Sequence, residues 1–117
     1  MAVTRTVTIL RSHDIVVDLR IIKTLLEPDI EMIKANAALK DGSVLHISEA
    51  TGEDWRDYSY HWEKESNLIR RWDNAPHYKD LPNFPYHVHE GDTVLPGNDI
   101  SLTDVLAYIE TEIKKQK

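Results

Sequence analysis

The chain has no cysteine among its 117 residues. That excludes a disulfide framework, thiolate metal ligands and a thiol nucleophile. No apolar run approaches the length of a membrane helix, so no membrane span is expected. Basic residues are the minority, 14 Lys and Arg against 20 Asp and Glu, for a net charge of -6. That balance argues against a protein held to nucleic acid by a broad basic surface. Met1 to Leu10 lacks the apolar core of a secretory signal, so the expected compartment is the cytoplasm. Length and composition predict a single folded domain over 1–117.

What is present is unevenly spread. Residues 53–100 hold eight of the nine aromatics and four of the six histidines. They also hold ten acidic against five basic residues. Chemistry is therefore sought in this middle block.

The β-branched run 3–10 predicts a strand. Residues 15–23 alternate, with Ile15, Val17, Leu19 and Ile21 on one face, and predict another before the turn at Pro28-Asp29. Residues 31–39 place Ile33, Ala35, Ala37 and Leu39 on one face; helix is the rival reading, since alanine favours it. Asp41-Gly42, followed by Val44-Leu45-His46-Ile47, predicts a hairpin with a type I′ turn, favouring strand on both sides.

Residues 55–62 and 68–73 predict a second hairpin around the polar loop 63–67. A symmetric loop would set Trp62 opposite Leu68, Tyr60 opposite Arg70 and Tyr58 opposite Trp72. A four-residue loop would shift these partners. In either register Arg70 and Arg71 point to opposite faces. Pro76, Pro82, Pro85 and Pro96 make 74–100 loop and short extended pieces. Ser101 with Asp104 opens an amphipathic helix whose stripe is Leu102, Val105, Leu106, Ile109 and Ile113. The predicted fold is α+β: an antiparallel meander of five to six strands with this helix on one face.

Four groups could carry chemistry. His87 and His89, at i and i+2 of an extended segment, could share a metal, with His77, His61, Asp73 or Asp92 as third ligand. Their structural alternative is hydrogen bonding to loop carbonyls. Arg70-Arg71-Trp72-Asp73-Asn74-Ala75-Pro76-His77 could bind and activate a phosphodiester. Its alternative is an Asp–Arg pair followed by a turn. The aromatics could stack on RNA bases or form the core. Trp62, Trp72 and Phe84 are expected to be mostly buried, and Tyr60, Tyr78 and Tyr86 to be the better surface candidates. His61 could be a general base or a sheet histidine satisfied by its neighbours.

Taken together, Tyr58-Ser59-Tyr60-His61-Trp62, the run Leu68 to His77, Phe84-Pro85-Tyr86-His87-Val88-His89-Glu90-Gly91-Asp92 and the helix opening at Ser101-Leu102 resemble the TumE-like family over residues 41–112. This chain has Tyr78 and Tyr86 where that family commonly has histidines. The resemblance implies the toxin half of a type II toxin–antitoxin pair, acting through RNA cleavage or a ribonuclease-dependent route and neutralised by a helix-turn-helix antitoxin. On that reading the protein is a metal-independent endoribonuclease with no cofactor. Arg70 would bind phosphate, His77 and His87 would move protons, Asp73 would orient them and Tyr60 would position substrate. His61, Arg71, Asn74, Tyr78 and His89 complete the expected substrate site. RNA, an antitoxin and a second copy of the chain are the expected partners. The rivals are a metal-dependent enzyme built on His87, His89 and His77, and a non-enzymatic protein-binding module.

Overall fold

Residues 3–10 form a helix in the computed structural model, which describes residues 2–116. Helix α1 (Ala2–Ser12) buries Val3, Thr6 and Leu10. That 3.6-residue spacing overrides the strand preference of its β-branched residues, which corrects the expectation for this segment. The Val3 N–H, free at the helix start, donates to Glu31 Oε1 at 3.1 Å.

Seven strands follow: β1 (Val16–Glu27), β2 (Ile30–Leu39), β3 (Val44–Thr51), β4 (Arg56–Lys64), β5 (Asn67–Asp73), β6 (His87–Glu90) and β7 (Thr93–Pro96). They form one antiparallel sheet in chain order, each strand beside its sequence neighbour. Helix α2 (Leu102–Lys115) ends the chain and opens on a Ser101–Asp104 capping box. The fold is α+β, with more strands than expected because β6 and β7 are four-residue pieces inside the proline-rich stretch.

Both tight turns differ from expectation. Between β2 and β3 the Leu39 N–H bonds Ser43 O at 2.9 Å, so the loop holds three residues, and only Gly42 has a positive φ (+85°). The type I′ turn is therefore replaced by a three-residue loop that needs one left-handed glycine. The β4–β5 turn is tighter than the predicted five-residue loop. Glu65 and Ser66 both take positive φ, 52° and 65°, and Lys64 pairs with Asn67. A bulge between Trp62 and Glu63 then sets Trp62 opposite Arg70 and Tyr60 opposite Trp72. The shift is by two residues, so each residue keeps its face.

Both helices cover the same face. Leu10 and the α2 residues Leu102, Val105, Leu106 and Ile109 pack with Ala37, Leu45, Ile47, Tyr60, Trp62 and Trp72. Tyr60 is buried, contrary to its expected surface role. Its hydroxyl donates to Glu49, which also accepts from Thr6, and receives Arg56 at 2.7 Å. Burial and the Glu49 carboxylate hold this hydroxyl far above its ordinary pKa. Burial likewise pushes Tyr58 up to about 12. Trp62 and Trp72 are buried as expected, but Phe84 is 41% exposed, because its loop lies outside the helix-covered core. No helix among the described residues is long and apolar enough to cross a membrane.

Candidate functional site

The other face of the sheet carries no helix. Strand alternation sends the residues between the core aromatics there. The register aligns them in one row: Arg20 on β1, Asn36 on β2, His46 on β3, His61 on β4, Arg71 on β5 and His89 on β6, each opposite the next. A second row beside it runs Lys34, Ser48, Ser59, Asp73, His87. Two shallow depressions, about 560 and 260 Å³, share Ser48, Ser59 and Arg71.

Asp73 is the buried anchor. Its Oδ1 accepts the Ala75 N–H at 2.9 Å and lies 2.9 Å from His87 Nε2. Its Oδ2 lies 3.0 Å from Arg71 Nε and 3.8 Å from His89 Nε2. The Arg71 contact shares charge but lacks the alignment of a hydrogen bond, leaving that Nε unpartnered. The Tyr78 ring stands edge-on to His87 and His89, with centroids 4.8 and 5.7 Å away. Gly97 lets the chain after β7 pass close to His87; a Cβ there would sit 3.1 Å from the His87 Cα.

Each half-buried histidine of the main row has a carboxylate beside it. Glu63 Oε1 lies 3.3 Å from His61 Nε2 and 2.9 Å from His46 Nε2, whose Nδ1 meets Asn36 Oδ1 at 2.6 Å. Burial lowers the His61 pKa below its ordinary 6.5, and Arg71 adds to the effect while Glu63 opposes it. Burial also lowers His89; Asp73 opposes, while His87 and Arg71 add. Both shifts favour the neutral ring, which can accept a proton. Arg71 stands between the two histidines on the neighbouring strand, with its side chain 41% exposed.

The expected site residues fall into four sets. Asp73, His87, His61, Arg71, His89 and Tyr78 come together on the open face or its rim. Arg70 and Tyr60 lie on the helix face: Arg70 pairs with Glu90 and stacks on Tyr108, its guanidinium carbon 4.8 Å from the ring centre. Asn74 is used by the backbone: its Oδ1 accepts the Tyr58 N–H at 2.9 Å and its Nδ2 donates to Arg56 O at 2.7 Å. His77 is exposed on the following loop. His46 and Glu63 were missed. Their signal was the parity of their strands, which sets His46 opposite in facing to Leu45 and Ile47, and Glu63 beside His61.

These features define a class: a one-sided antiparallel sheet, helices behind, histidines and an arginine in front. Residues 6–116 match the family described as toxin TumE, and the chain belongs to that family. No curated protein and no solved structure matches it. A toxin role is what the family description carries.

Proposed function

We propose that this toxin acts on RNA, and that the open face cleaves it without a metal ion. The observation that carries the reading is the order His61, Arg71, His89 on three adjacent strands of one face. Cleavage of RNA by its own 2′-hydroxyl needs a base for that hydroxyl, an acid for the leaving oxygen and a cation for the phosphate between them. Arg71 is the cation, with a planar fork suited to phosphate oxygens. His61 and His89 flank it: one neutral ring takes the 2′-hydroxyl proton, and the other, protonated beside its carboxylate, gives one to the leaving oxygen, with Glu63 next to His61 and Asp73 next to His89. His87 and Tyr78 support His89 from behind. The depressions that share Arg71 give a single strand its path across the sheet.

The reading moves phosphate binding from Arg70 to Arg71, because the sheet itself separates Arg70 from Asp73. The test is cleavage of a single-stranded RNA by purified protein freed of any partner. Arg71→Ala, His61→Ala and His89→Ala should each lose about 100-fold or more while circular dichroism shows an intact fold. A wild type that leaves RNA whole, or variants as active as wild type, would end the reading.

A toxin family implies a neutralising antitoxin, and we place the helix-turn-helix type expected from the sequence at the acidic end of the molecule. Trp55 and Phe84 stand exposed there, beside Glu53, Asp54 and Asp57, around a cavity of about 660 Å³. A cationic antitoxin segment suits that surface. Raising salt should loosen the pair, and a salt-insensitive complex would count against this docking.

A further inference from the structure

Beneath the cleavage row lies a feature that proton transfer leaves unexplained. His87 is buried with both ring nitrogens facing oxygen atoms. Nδ1 is 3.0 Å from Pro85 O, which can only accept, so Nδ1 carries a proton. In the neutral ring Nε2 is then a lone pair, and it faces Asp73 Oδ1 at 2.9 Å. Two acceptors at that distance need a positive centre between them: a second proton or a metal ion.

We propose that Asp73, His87 and His89 bind a zinc-class divalent ion. Their ligand atoms all lie within 4.8 Å of one another, and Asp73 and His87 are buried. The Asp73 oxygens lie 2.9 and 3.8 Å from the two Nε2 atoms. These distances belong to two different Asp73 oxygens, and the spacing of up to 4.8 Å must close toward the ~3.3 Å edge of a tetrahedron with ~2.05 Å bonds when an ion binds, His89 being the least buried of the three. Two imidazoles and a carboxylate, with no sulfur, suit zinc and its transition-metal neighbours.

The surroundings fit as well. A ligating histidine holds its other N–H on a carbonyl, and His87 has Pro85. A ligating carboxylate is itself held, and Asp73 has the Ala75 N–H and Arg71. This site stands whether or not RNA is the substrate. An ion there would take His89 Nε2 out of proton transfer, so a loaded toxin would be a silenced one.

The test is titration of full-length, untagged protein with zinc alone by calorimetry, and with cobalt(II) by visible absorption. One ion per chain and a cobalt band of low-symmetry coordination are expected. His89→Ala, at a half-exposed position, should weaken zinc binding by ~100-fold or more. Asp73→Asn should do the same, and His77→Ala should leave binding unchanged. Absence of heat and of the cobalt band would overturn the site, as would a His89→Ala protein that binds zinc as tightly as wild type. Cleavage by zinc-free protein is read separately, so failure of the ribonuclease reading leaves these outcomes intact.

Discussion

On the helix-covered face Tyr58, Tyr60, Trp62 and Trp72 pack into the core; between them in sequence, Ser59, His61, Arg71 and Asp73 face the other way. The same two strands thus supply the core with one parity and the proposed site with the other. Arg70 and Arg71 make the contrast sharpest. Arg70 lies against Trp72 and Tyr108, its charge spent on aromatic rings and Glu90. Arg71 touches Asp73 and keeps an exposed guanidinium between two histidines. Identical side chains one residue apart do different work because the pleat assigns them different surroundings.

Substitutions should separate the faces. The largest effect is expected from Leu106→Ala, which empties a fully buried site behind the sheet. It should cost about 2–5 kcal/mol in urea denaturation, with the remaining folded protein still active. A loss of activity larger than the loss of folded protein would break the separation. Next comes the arginine pair. Arg71→Ala should cut RNA cleavage by about 100–1,000-fold with little change in denaturation midpoint. Arg70→Ala should do the reverse, costing roughly 1–2 kcal/mol through its lost ring contacts and leaving cleavage in place. An exchange of those outcomes would return phosphate binding to the helix face.

A smaller effect is expected from pH. His61 and His89 have folded pKa values below the ordinary 6.5. The unfolded chain therefore binds protons first on acidification. The stability these residues contribute is complete above about pH 6.5 and is lost as pH falls through their folded values. Thermal scans should show that decline on the acid side, and the double variant His61→Gln, His89→Gln should flatten it. An unchanged slope in the double variant would assign the decline elsewhere. The smallest effect is expected from Asp99→Ala, which removes a surface ion pair with Arg56; a midpoint shift beyond about 0.5 kcal/mol would show that this pair matters more than its exposure suggests.

Much of this was legible in the chain. Alternation and turn signals placed β1 to β5, although bulges at Val16/Asp18 and Ile21/Lys23 break the expected face of β1 and leave Val17 and Ile21 exposed; the Ser101 cap with its apolar stripe placed α2. Strand parity alone separated Arg70 from Arg71. Two things were hidden. The segment 3–10 carries strand-type residues at helical spacing, and its helix is held by tertiary partners, Glu31 and Glu49, far along the chain. The site row was hidden because it depends on register. Glu65-Ser66, with no glycine, closes a turn that composition assigns to a longer loop, and that turn together with the bulge after Trp62 sets His61 opposite Arg71. Tyr60 was misjudged for a related reason: its hydroxyl is satisfied inside the core by Glu49 and Arg56, partners that composition does not reveal.

Chain order has a last consequence, for synthesis on the ribosome. Every group of the row, from Arg20 to His89, is made before α2. Part of the floor under those strands is not: Val105, Leu106 and Ile109 follow all of them. A nascent chain that stops short of them carries the whole row on a sheet backed by α1 alone. Translation therefore delays the assembled surface until α2 emerges.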